Sequence, residues 1–147
     1  MNATMFSRRA WLSFGTAFVL STCAIGTFST GALGADVKVT LSGDQEVPPV
    51  KSAGSGSGMF AVGSDKSVSG SVTTMGISGT AAHIHEAAAG KNGPVIIPLT
   101  KEGDKYSAPA GAKLTDAQMT AFQAGNLYVN VHTAANAGGE LRAQLKP

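Results

Sequence analysis

Three histidines carry most of the chemistry that this sequence offers. His83 and His85 are two residues apart in Ala82-His83-Ile84-His85-Glu86, and His132 follows in Leu127-Tyr128-Val129-Asn130-Val131-His132-Thr133. Side chains alternate between the faces of a strand, so His83 and His85 share the face opposite Ile84, and His132 shares a face with Tyr128 and Asn130, opposite Val129 and Val131. If Ile84 and the valines point to the core, all three imidazoles lie on the outer face. Neutral imidazole is a good donor to copper, zinc and nickel, so His83, His85 and His132 form a candidate metal site, with copper or zinc as the cofactor.

The segments around His132 supply its surroundings. Pairing Thr133 with Gly139 sets His132 across from Glu140, Asn130 across from Arg142 and Tyr128 across from Gln144. Every apolar residue of one strand then meets an apolar partner. In that register Glu140 is placed to hold the far nitrogen of His132, and Asn130 and Arg142 complete the surround. The plain alternative is that these are solvent-facing histidines and that Glu140 and Arg142 form an ordinary cross-strand pair. No catalytic residue is assigned. Asp44 and Glu46 border a proline-containing connection and read as a solvated loop, and Gly54-Ser55-Gly56-Ser57-Gly58 precedes a strand, the wrong context for a hydrolase nucleophile.

The elements that must position these residues are short strands. Val37–Leu41, Met59–Val62, Ser67–Met75, Ala82–Glu86, Val95–Leu99, Leu127–Val131 and Leu141–Leu145 alternate or cluster apolar residues between turn signals such as Gly63-Ser64-Asp65 and Asn92-Gly93-Pro94. Pro48, Pro49 and the run Gly54–Ser57 read as flexible connection. Thr115 and Gln118 make a capping box ahead of helix-forming residues, so one short helix is predicted over 115–124, ended by Gly125. The fold class is an all-β, antiparallel, Greek-key-like sandwich with one helix.

The N-terminal 35 residues belong to a different class of sequence. Arg8 and Arg9 precede a weakly apolar run from Trp11 to Phe28 that ends in the small residues Gly31–Ala35, and no acidic residue occurs before Asp36. Residues 1–35 are expected to be a cleavable signal peptide of twin-arginine type, leaving 36–147 as one periplasmic or secreted domain without a stable membrane span. Leu20-Ser21-Thr22-Cys23 also fits a lipid-attachment box on Cys23. Of the 11 Lys and Arg only Arg8 and Arg9 lie before residue 36, so the remaining basic residues balance the 9 Asp and Glu. A neutral domain without a basic run lacks the footprint of a nucleic-acid binder. It also lacks cysteine, so it must be held by burial alone.

Leu41–Pro49, Ala82–His85 with Asn92–Val95, Leu114–Gln118, Leu127–Thr133 and Gly138–Gln144 together resemble, in order, the motifs of the CHRD domain family, over about Val39 to Leu145. That family occurs in bacterial exported proteins and in chordin, and the resemblance implies fold and compartment more sharply than activity. His83-Ile84-His85 is also distantly similar to the copper-binding strand of copper/zinc superoxide dismutase. The bridging histidine, the zinc-loop ligands and the disulfide of that enzyme have no counterpart here. Three functions follow in order: a non-enzymatic exported binding domain that holds a transition metal, an envelope module that binds a protein or polysaccharide, and a dismutase-like redox enzyme.

Overall fold

The computed structural model describes residues 34–147. The predicted signal peptide and the Cys23 lipid box lie almost wholly outside these residues. The chain forms two antiparallel sheets. One carries β1 (Ala35–Leu41), β2 (Ser55–Val62), β3 (Val68–Met75), β7 (Lys105–Ser107) and β6 (Thr100–Glu102), in that order. The other has the order β5 (Val95–Pro98), β4 (Gly79–Glu86), β8 (Leu127–Thr133) and β9 (Leu141–Leu145). The neighbours β3–β7 and β4–β8 are distant in sequence, as a Greek-key sandwich requires.

Alternation decides which side of each strand is buried. Val37, Val39 and Leu41 of β1 and Phe60 and Val62 of β2 meet Ile84, Val129, Val131, Leu141, Ala143 and Leu145 of the opposite sheet in one core. The predicted register of the last two strands holds, with Tyr128 opposite Gln144, Asn130 opposite Arg142 and Val131 opposite Leu141. The sheets are tied along one side by reciprocal backbone bonds of 3.1 Å between Ser42 and Arg142.

The helix α1 (Asp116–Gln123) forms where its cap predicts it. Gln118 N–H donates to Thr115 Oγ1 at 3.2 Å, and Thr115 N–H donates to the Gln118 side chain at 2.9 Å. Phe122 anchors it in the core and Gly125, at φ 73°, ends it.

One expectation about the chain path is corrected. The run Gly54–Ser57 is not a flexible connection, because β2 already starts at Ser55. Glycine serves close approach here: a β-carbon on Gly58 would lie 2.1 Å from the Ser71 carbonyl oxygen of the adjacent strand. The hairpin β6–β7, polar and mostly exposed, was not anticipated. No helix among the described residues is long and apolar enough to cross a membrane.

Candidate metal centre

Strand parity places His83 and His85 on β4 and His132 on β8, all on the face turned away from Ile84, Val129 and Val131. That face is not open to solvent as the alternation implies. Tyr128, Asn130 and Arg142 on it are at most 2% exposed, and His85 is 7% exposed. Two segments cover it, one around Ser42–Val50 and the other Ala87–Pro94. Arg142 donates to the Lys91 carbonyl at 2.8 Å and to Asn92 Oδ1 at 3.1 Å, and Gln144 donates to the Ala87 carbonyl at 2.8 Å. Asn92 Nδ2 donates in turn to the Val47 carbonyl at 2.7 Å, joining the two covers.

The three imidazoles converge. One ring nitrogen from each lies within 4.8 Å of those of the other two, and His83 Nδ1 is 3.0 Å from His132 Nε2. Two backbone carbonyls set the tautomers. His85 Nδ1 meets the Gly93 carbonyl at 2.9 Å, and His132 Nδ1 meets the Ala137 carbonyl at 2.9 Å. A carbonyl only accepts, so both Nδ1 atoms carry hydrogen and both Nε2 atoms keep a lone pair. The short contact between His83 and His132 is then a hydrogen bond from His83 Nδ1–H to His132 Nε2. An ion bound there either displaces that proton or meets His83 through Nε2.

The donor set fits a small transition-metal ion. Nitrogens bonded to one tetrahedral ion at about 2.0–2.1 Å are about 3.4 Å apart. The widest pair therefore has to close by up to about 1.4 Å, a rotamer-scale movement. His85 Nε2 is buried and has no hydrogen-bond partner among the described residues, which is costly for a polar atom unless something electropositive meets it. Burial lowers the pKa of His83, assisted by His132 and His85. Burial also lowers that of His85, against the raising effect of the Gly93 carbonyl. Both rings are thereby held in the neutral form that can ligate.

Glu140 does not hold His132. Its carboxylate accepts from Ser52 Oγ at 2.7 Å, from Thr133 Oγ1 and from Asn136 Nδ2 at 3.1 Å, bonds that lower its pKa and tie the β8–β9 turn to the segment before β2. The Ala137 carbonyl has the place expected of it. Nor does Arg142 form a surface pair with Glu140: its guanidinium lies over the Tyr128 ring, and Tyr128 stacks on His85. Glu46, read as a solvated loop residue, is 4% exposed beside Asn130 and Gly139. Asp44, two residues earlier, is exposed as expected.

The family model of the CHRD domain matches residues 37–145. The chain belongs to the CHRD domain family. No curated protein and no solved structure matches it. The CHRD domain spans all but the start of β1 and contains the three histidines together with both covering segments. Four of the five stretches that resemble the family's motifs build this face, and the fifth, Leu114–Gln118, caps the helix. Leu41–Pro49 brings Glu46, Asn92–Val95 brings Gly93, and Gly138–Gln144 brings Gly139 and Arg142. Gly93 is confined to glycine by space, since a β-carbon there would lie 1.9 Å from the Glu86 carbonyl oxygen.

Proposed function

We propose that this CHRD-domain protein is an exported, non-enzymatic binding protein that holds a transition-metal ion, copper foremost, with His83, His85 and His132. The observation that carries the reading is His85 Nε2, buried with no hydrogen-bond partner among the described residues, next to two further imidazoles whose nitrogens lie within 4.8 Å. Imidazole donors accept copper, zinc or nickel, and copper binds most tightly of the divalent ions in such sites. Titration of the 36–147 domain with Cu(II) and Zn(II) against a competing chelator, beside a His83→Ala/His85→Ala/His132→Ala variant shown by circular dichroism to be folded, tests it. Binding by the parent and its loss in the variant are expected. Equal binding by both overturns the metal reading and leaves an envelope interaction module.

Export is supported by the Arg8-Arg9 pair before a weakly apolar run and by the absence of acidic residues ahead of Asp36. The compartment proposed is the periplasm or the exterior. Replacing both arginines by lysine is expected to leave precursor inside the cell, and unimpaired export would exclude the twin-arginine route.

A further inference from the structure

We infer that Asn130 supplies a fourth ligand, through Oδ1, to the ion held by the three histidines, and that this amide oxygen biases the site toward divalent ions over Cu(I). The inference rests on the metal reading above. Asn130 stands directly across from His83 and two residues from His132 on the same strand face, and it is 2% exposed. Its two amide ends can be told apart by their surroundings. Nδ2 faces the Gly138 carbonyl at 3.4 Å. The Glu46 carboxyl crowds the same spot, for a β-carbon on Gly139 would lie 2.3 Å from Glu46 Oε1 and 2.6 Å from Asn130 Nδ2. Carbonyl and carboxyl oxygens both call for the NH2 end, which fixes the orientation of the amide.

The opposite end, Oδ1, has no hydrogen-bond partner among the described residues, and neither has His85 Nε2. Asn130 and His85 are diagonal neighbours on that face, since His83 pairs with Asn130 and His85 with Tyr128. With Nδ1–H committed to the Gly93 carbonyl, Nε2 of neutral His85 is an acceptor, as is Oδ1. Two buried acceptors side by side cannot satisfy one another, but one cation between them satisfies both. Three imidazole nitrogens and one oxygen make the closed four-ligand set that a tightly held tetrahedral ion requires. An amide oxygen is a hard donor, which supports Zn(II) and Cu(II) and adds little for the softer Cu(I).

The test uses the 36–147 domain and its Asn130→Ala and Asn130→Asp variants. Each is titrated with Cu(II), Zn(II) and, under reducing conditions, Cu(I), with the Cu(II) electron paramagnetic resonance spectrum recorded. Asn130→Ala is expected to weaken Cu(II) and Zn(II) by about tenfold or more, to shift the Cu(II) spectrum, and to leave Cu(I) affinity nearly unchanged. Asn130→Asp, which keeps the shape and offers a carboxylate, is expected to tighten the divalent ions selectively and stands in if the alanine variant does not fold. A parent that binds Cu(II) while both variants match it in affinity and spectrum overturns the Asn130 assignment alone, as it would if a proton on His85 Nε2 were what meets Oδ1. A parent that binds no ion removes the three-histidine reading, and this inference with it.

Discussion

The guanidinium carbon of Arg142 lies 3.4 Å from the centroid of the Tyr128 ring, and that ring stacks on His85 with centroids 4.7 Å apart and planes 7° from parallel. Strand β8 runs between β4 and β9, so His85 and Arg142 reach Tyr128 from opposite sides. The same guanidinium holds the Ala87–Pro94 segment through Lys91 and Asn92, and that segment returns the Gly93 carbonyl to His85 and the Gly93 N–H to the Tyr128 hydroxyl at 3.2 Å. One buried cation thus fixes both the cover and the ring beneath it.

Arg142→Met keeps the stem of this side chain and removes its donors. It leaves the Lys91 carbonyl and Asn92 Oδ1 without them and Glu46 without its positive neighbour. A loss of about 3 kcal/mol in urea unfolding is expected. Arg142→Lys should recover only part of it, because an ammonium cannot lie flat on Tyr128 while reaching two acceptors in a fork. A loss below about 1 kcal/mol for the methionine variant would mean that the cover stands without Arg142.

Glu46 gives an opposite expectation. Burial raises its pKa, against the lowering effects of Arg142, Asn130 and the Val47 backbone. A carboxyl with a folded pKa above its unfolded value binds its proton more tightly in the native state. Native stability then falls as pH rises from the unfolded value, and above the folded one the whole cost of the buried charge remains. Glu46→Gln removes that charge and keeps an oxygen. It is expected to be more stable than the parent at pH 8, with the difference fading as both are brought to pH 4 or below. Melts at the two pH values decide it, and a variant less stable at pH 8 would mean that the Arg142 attraction outweighs burial.

Much of this is legible in the sequence. The β8–β9 register followed from Val129 and Val131 having to meet Ala143 and Leu141, and the shared face of His83, His85 and His132 followed from parity. Periodicity stops at the strand ends, however. Nothing in the alternation of Leu127–Thr133 says that residues 42–50 and 87–94 fold back over the face carrying Tyr128 and Asn130, so Arg142 read as a surface partner of Glu140 and Glu46 as solvated. The carbonyls that orient His85 and His132 belong to Gly93 and Ala137, whose side chains announce nothing. Glycine misled in the other direction: Gly54–Ser57 reads as flexible, although the lack of a side chain is what lets β2 approach β3 at Gly58.

The helix cap gives a local check on the same reasoning. Thr115 and Gln118 exchange both bonds of a capping box at an exposed site, so the effect of Thr115→Ala is free of packing changes. A loss of about 1 kcal/mol is expected, and Thr115→Ser should restore most of it. Equal stability of the alanine variant and the parent in urea would assign the helix to the anchoring of Phe122 alone.

The pH dependence of stability in the presence of a strong chelator reports on the histidine cluster itself. His83 and His85 both have folded pKa values below the ordinary value of 6.5, burial being the main cause in each. A base with a depressed folded pKa binds fewer protons native than unfolded, so its contribution is fully present above about pH 6.5 and is lost as pH falls from there through the folded pKa. Glu46 acts with the opposite sign, so the measurement belongs in the Glu46→Gln background. There, urea midpoints are expected to hold steady from pH 8 to pH 7 and to drop between pH 6.5 and pH 5. Adding His83→Asn and His85→Asn should flatten that drop whatever it does to the stability at pH 8. A drop of the same size in the doubly substituted chain would place the acid sensitivity outside these two rings, and a rise in stability on acidification would contradict their burial in the neutral form.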